Sequence, residues 1–157
     1  LAFRRKEEDR NFLVRLPLIV ARTSLPTPEH LPAAAPISAL RVEVVDDNQD
    51  AAASLATLLR IMGNTTRPAY DGEQALQVAD EFRPHVILLD IGLPKMNGYD
   101  VARRIREQSW GRSMVLVALT GWGQADDKRR SLEAGFDQHL VKPAEIEALQ
   151  KLLASLD

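Results

Sequence analysis

Residues 41–157 of this chain are expected to fold as an α/β domain on a doubly wound sheet of five parallel strands, for three reasons. Short β-branched runs alternate with amphipathic segments five times over, the pattern of repeated strand–helix units. One run, Val86-Ile87-Leu88-Leu89, is apolar without interruption, as a strand covered on both faces must be. Polar residues able to do chemistry stand directly after the strands, where ligands bind in sheets of this kind.

The elements follow in order. A first strand at 42–45 leads into a helix whose Ala51, Leu55, Leu58, Leu59 and Met62 share one face at helical spacing. Residues 65–67 make a weak second strand, and Ala75, Ala79 and Phe82 mark the second helix. After the central strand at 86–89, Val101 and Ile105 mark helix three. Strand four spans 114–119, helix four 124–134 and strand five 138–141; Ile146, Leu149, Leu153 and Leu156 carry the last helix. Upstream, Pro26, Pro28, Pro32 and Pro36 fall within eleven residues beside Ser, Thr and Ala, which describes a semi-extended linker over 21–40. The domain boundary is therefore placed near residue 40, with residues 1–20 as an N-terminal extension.

Composition narrows the function. A length of 157 residues with 45% hydrophobic content suits one ordinary domain plus an extension. There is no cysteine, which excludes disulfides and thiolate metal sites and suits a reducing cytoplasm. Apolar stretches are broken by Pro17, Pro32 and Pro36 and fall short of the roughly 20 residues that span a bilayer, so no membrane contact by this chain is expected. The sequence begins at Leu1 without a signal-peptide pattern, and the expectation is a fragment of a cytoplasmic protein, with a membrane tether in a missing N-terminal part left open. Residues 1–40 carry a formal charge of +2 and residues 41–157 of −4. The nearest basic run, Lys128-Arg129-Arg130, directly follows Asp126-Asp127 and reads as a solvated helix face, so no nucleic-acid partner is expected.

Four strand ends are chemically informative: Asp46-Asp47-Asn48, Asp90, Thr120-Gly121 and Lys142-Pro143. Singly, Asp, Asn and Thr can be helix caps and Lys142 a solvated lysine. Together they are harder to explain that way. Two carboxylates about 4 Å apart repel by roughly 4 kcal/mol at an effective dielectric near 20, so three at one sheet edge call for a cation. Oxygen ligands without Cys or His favour Mg²⁺ over zinc. Such a metal separates Asp90 from an incoming phosphoryl group, while Lys142 supplies a point charge and Thr120 a hydroxyl donor, which is a phosphoryl-transfer site with a carboxylate nucleophile.

Over its whole length the segment 41–157 resembles the receiver domain of two-component response regulators, a flavodoxin-like (βα)₅ fold. The motifs that carry the resemblance are Val-Val-Asp-Asp at 44–47, Leu-Leu-Asp-Ile-Gly-Leu-Pro-Lys-Met-Asn-Gly at 88–98, Ala-Leu-Thr-Gly at 118–121 and Leu-Val-Lys-Pro at 140–143. The resemblance implies that Asp90 is the phosphoacceptor and that Asp47, Asp90 and the Gly92 carbonyl ligate Mg²⁺, with Asp46 holding it through water. It implies that Thr120 and Lys142 contact phosphoryl oxygens and that the Lys142-Pro143 peptide is cis. The donor would be a histidine kinase or a histidine phosphotransfer domain. The receiver would catalyse its own phosphotransfer and slow dephosphorylation, and a population shift around strands four and five would involve Thr120 and His139. Trp122, two residues after Thr120, should report that shift by its emission.

Two positions depart from the family pattern. Glu43 interrupts an otherwise apolar first strand, which the fold should tolerate. His139 stands where receivers commonly carry Tyr or Phe, either as a partly buried histidine filling that space or as a pH-sensitive switch. Rival functions fit less well. Asp46-Asp47 would repel the phosphate of a flavin, and Gly121-x-Gly123 lacks the third glycine of a dinucleotide fold. An aspartyl phosphatase of the haloacid dehalogenase type places a second Asp two residues after its nucleophile; here that residue is Gly92, which leaves no general acid/base for rapid turnover.

Residues 11–18 alternate like a half-buried strand, with Phe12, Val14 and Leu16 on one face. They resemble the closing strand of the ATP-binding domain of sensor histidine kinases. Strand, Pro-rich linker and then receiver is the order at the C-terminus of a hybrid histidine kinase, although the chain itself lacks kinase catalytic boxes. A stand-alone single-domain response regulator is the alternative.

Overall fold

A computed structural model describes residues 39–121 and 125–156. The strand expected at 11–18, nearly all of the linker and Trp122 lie outside the described residues. Five strands form one parallel sheet: β1 (Arg41–Val45), β2 (Thr65–Ala69), β3 (Val86–Asp90), β4 (Val115–Thr120) and β5 (Gln138–Val141). Their order is β2-β1-β3-β4-β5, so the chain reverses direction across the sheet between β1 and β3. The connecting helices are α1 (Gln49–Ile61), α2 (Gly72–Phe82), α3 (Gly98–Glu107) and α4 (Ala125–Ala134), with α5 (Ile146–Ala154) after β5. This is the flavodoxin-like receiver fold expected from the sequence.

Local chemistry sets the helix starts. Asn48, Asp71 and Asn97 each cap a helix by accepting backbone N–H bonds with their side chains. The sheet separates two apolar layers. One holds Val45, Ile87 and Leu89 against Ala75 and Ala79 of α2 and Val101, Ala102 and Ile105 of α3. The other holds Val42, Val44, Leu88 and Leu119 against Ala52, Ala56 and Leu59 of α1 and Leu149, Leu152 and Leu153 of α5. β3 is buried at all five positions, as its uninterrupted apolar run requires.

Several details differ from the sequence expectation. β2 does not stop at Arg67 but continues through Pro68 to Ala69, because it is an edge strand whose other side needs no proline N–H. A short 3₁₀ turn, Ser109–Ser113, precedes β4 and was not anticipated. The buried face of α1 is Ala52, Ala56 and Leu59; Ala51 is exposed and Leu55, Leu58 and Met62 are only half-buried. Ile146, assigned to the apolar face of α5, is 51% exposed. Glu43 is tolerated in β1, paired in register with Arg67 and Ile87 on either side.

Candidate phosphoryl-transfer site

β1, β3, β4 and β5 all deliver polar residues to the same carboxyl edge. Asp46 is nearly buried, and its backbone N–H donates to the Ala69 carbonyl at 3.1 Å, which ties it to the end of β2. Its Oδ1 accepts from the Asn48 N–H at 2.9 Å and its Oδ2 from Lys142 Nζ at 2.7 Å. Asp90 Oδ1 accepts from the Gly92 N–H at 2.9 Å, and its Oδ2 lies 3.0 Å from the same Lys142 Nζ. Asp47 is exposed beside them. Carboxylate oxygens of Asp46, Asp47 and Asp90 all fall within 4.8 Å of one another.

Lys142 is where the electrostatics concentrate. Partial burial pulls its pKa down, but hydrogen bonds and charge from Asp46 and Asp90 outweigh that and raise it above its ordinary value. Its backbone N–H donates to the Thr120 carbonyl at 2.7 Å, and the Lys142-Pro143 peptide is cis, as the resemblance implied. One lysine against three carboxylates leaves two formal negative charges. That deficit, and a donor set made of oxygen alone, fit a hard divalent cation such as Mg²⁺.

Thr120 is buried at the end of β4, and its hydroxyl donates to the Leu140 carbonyl on β5 at 3.4 Å instead of turning to the carboxylates. His139 is exposed, on the same face of the edge strand as the 46%-exposed Val141. The partly buried histidine expected as one alternative is therefore corrected: β5 is an edge strand on which Gln138, His139 and Val141 are all exposed.

Two contributors went unassigned in the sequence. Gly98 donates its N–H to the Ile91 carbonyl, and a Cβ there would lie 2.5 Å from the Asp90 carbonyl oxygen, so the loop can pass this closely only as glycine. Its place in the 88–98 motif was the available signal. A groove of about 710 Å³ opens beside the carboxylates, lined by Ala51, Leu55 and Leu58 of α1 and by Pro143 and Ala144 before α5. The sequence carried no separate signal for it, because Leu55 and Leu58 fit the apolar stripe of α1.

A doubly wound sheet with an acidic trio and a lysine at its carboxyl edge defines a class of phosphoryl-handling α/β domains. Within that class, residues 42–154 match the response regulator receiver domain family, and the chain belongs to it. It is 40% identical over 120 residues to the transcriptional regulatory protein PrrA of Mycobacterium leprae, an alignment covering 74% of this chain and 51% of that protein. The chain thus spans about half the length of that curated relative. Among solved structures it resembles the chemotaxis protein CheY4 of Vibrio cholerae, with TM-score 0.72, 28% identity, and 76% and 100% of the two chains covered. It also resembles the receiver domain of the sensor histidine kinase PA1611 of Pseudomonas aeruginosa, described with a magnesium ion coordinated in the active-site cleft. There the TM-score is 0.69, identity 32% and coverage 76% and 98%. The domain is accordingly a receiver module of phosphorelay signalling.

Proposed function

We propose that this receiver takes a phosphoryl group from a phosphohistidine onto Asp90. Mg²⁺ would be held by Asp47, Asp90 and the Gly92 carbonyl, with Asp46 acting through water. The observation that carries the proposal is the Asp90 carboxylate, fixed on one oxygen by the Gly92 N–H and on the other by Lys142, beside two further carboxylates. Asp47 is the exposed member of the trio, which supports a direct role for it, whereas Asp46 is buried against Lys142 and the Asn48 N–H.

Transfer forms one bond, from an Asp90 oxygen to phosphorus, and breaks the donor's N–P bond. The electron pair returns to the imidazole nitrogen, and the ring leaves neutral because its second nitrogen keeps a proton. Bound Mg²⁺ would neutralise charge on the phosphoryl oxygens. Lys142, now shared between Asp46 and Asp90, would turn its ammonium to a phosphoryl oxygen. Thr120 would exchange the Leu140 carbonyl for another, and that exchange would pass the signal to β5, where His139 neighbours Leu140. Gly92 supplies no acid or base, so the acyl phosphate should persist.

The test is labelling by a phosphohistidine donor or a small phosphodonor. Asp90→Asn should abolish hydroxylamine-labile label and Asp47→Asn should weaken it through the metal; label on Asp90→Asn at the wild-type rate would refute the assignment. For the parent protein we favour a hybrid histidine kinase, supported by the Pro-rich segment and by the likeness to a sensor kinase receiver. A native coding sequence with no kinase core upstream of Leu1 would exclude it.

A further inference from the structure

Glu43 lies in β1 between the two strands that flank it, away from the phosphoryl-transfer site. Val42 and Val44 face the α1 and α5 layer, so alternation puts Glu43 on the opposite face with Val45, toward α2. It is 0% exposed, and neither carboxyl oxygen has a hydrogen-bond partner among the described residues. A carboxylate in that position is tolerable only with its proton on.

The register names the group that could change this. Arg67 is the β2 residue opposite Glu43, and paired residues of parallel strands point to the same face about 5 Å apart. Yet the Arg67 guanidinium turns outward, 5.1 Å from the centre of the Phe82 ring and 3.9 Å from Glu81 Oε2, both in the last turn of α2. These contacts are weak, since the Arg67 and Glu81 side chains are 53% and 58% exposed. The other charges on the covering elements are committed or remote. β3 presents Ile87, and α3 presents Val101, Ala102 and Ile105. On α2, Glu73 and Asp80 are exposed, and Asp80 pairs with Arg83. On α3, Asp100 pairs with Arg103, and Arg106 is bound to Asp137.

We propose that Glu43 and Arg67 form a proton-gated latch: while Glu43 is protonated Arg67 stays outside on Glu81 and Phe82, and loss of the proton draws Arg67 inward onto the Glu43 carboxylate, freeing the last turn of α2. Burial raises the Glu43 pKa well above its ordinary 4.5, so the exchange belongs to a pH above the usual carboxylate range. The latch gives the domain a pH response independent of phosphorylation.

The experiment is a carbon-13 NMR titration of Glu side-chain carboxyls in the full chain, with the Glu43 signal assigned by its loss in Glu43→Gln. Arg67 is exposed, so Arg67→Gln should fold and should move the Glu43 midpoint up by removing the cation. Glu81→Gln should move it down by releasing the cation. In the wild type the Phe82 ring signals should shift in step with Glu43. An ordinary Glu43 midpoint, a midpoint that Arg67→Gln does not move, or a carboxyl that stays protonated until the fold is lost at high pH would each overturn the latch.

Discussion

To occupy β1, the Glu43 carboxyl gives up its water on every side, and nothing in the sheet replaces it. The sign of the pH effect follows. Once pH passes the ordinary 4.5, the unfolded chain has released this proton while the folded chain still holds it, so the folded state binds more protons and stability falls as pH rises. Glu43→Val, close in volume and suited to a strand, should therefore stabilise the domain by about 1–3 kcal/mol at pH 7, and by less at pH 4. Urea unfolding at both pH values checks this, and an equal gain at each would mean that charge plays no part. Lys95 is a second residue whose conformation opposes its type, with φ at +64° in the loop after β3. Left-handed backbone costs a branched side chain most. Lys95→Val should destabilise by about 1–2 kcal/mol, whereas Lys95→Asn should be neutral or slightly stabilising; similar unfolding midpoints for the two variants would contradict the strain.

Between elements, Arg106 does more than its place on α3 suggests. Its guanidinium donates to the carbonyls of Gly135 at 2.9 Å, Gly111 at 2.9 Å and Met114 at 2.8 Å, and to Asp137 Oδ2 at 2.7 Å. Asp137 Oδ2 also accepts the Leu116 N–H, so one pair ties α3, the 3₁₀ turn, the start of β4 and the approach to β5. Arg106→Ala would strip several carbonyls of a charged donor and should cost about 3 kcal/mol. Arg106→Lys should recover only part, because one ammonium cannot reproduce the planar fork. Chemical denaturation of both variants decides it; a lysine variant as stable as wild type would reduce the clamp to a single contact. Nothing in the sequence announced this residue, since an arginine on a charged helix looks solvated until the fold brings residue 137 beside it. The buried face of α1 was not legible either, because Ala51, Leu55 and Leu58 fit a helical stripe as well as Ala52, Ala56 and Leu59 do. Spacing gives a period, and only the neighbouring layer decides which alanines are buried. The alternation of strands and helices was legible because β3 has no polar position to mislead and three helices begin at Asn or Asp caps.

At the scale of the molecule, the site assembles residues as far apart as Asp46 and Lys142, 96 positions in sequence, yet it could be read in advance. In a parallel sheet every strand finishes at the same edge, so the residue after each strand is a neighbour of the others whatever the loops do. The resting direction of the Thr120 hydroxyl was not legible, because the sequence names a donor and not its acceptor. The same convergence leaves the folded domain with two uncompensated negative charges that the unfolded chain spreads over its length. A divalent cation that binds the folded form alone must therefore stabilise it, by about 2.7 kcal/mol when its free concentration is a hundred times its dissociation constant. Thermal melts should rise with Mg²⁺ and fall back with chelator. Asp47→Asn, at the exposed member of the trio, should remove most of the rise while leaving the melt without metal unchanged or higher, because one repelling charge is gone. Lys142→Met should do the opposite. Without its ammonium the three carboxylates repel unopposed, so the metal-free melt should fall, but Mg²⁺ loses its competitor and should bind several-fold more tightly. If millimolar Mg²⁺ leaves the wild-type melt in place, or stabilises Asp47→Asn as much as wild type, the acidic trio is not a metal site.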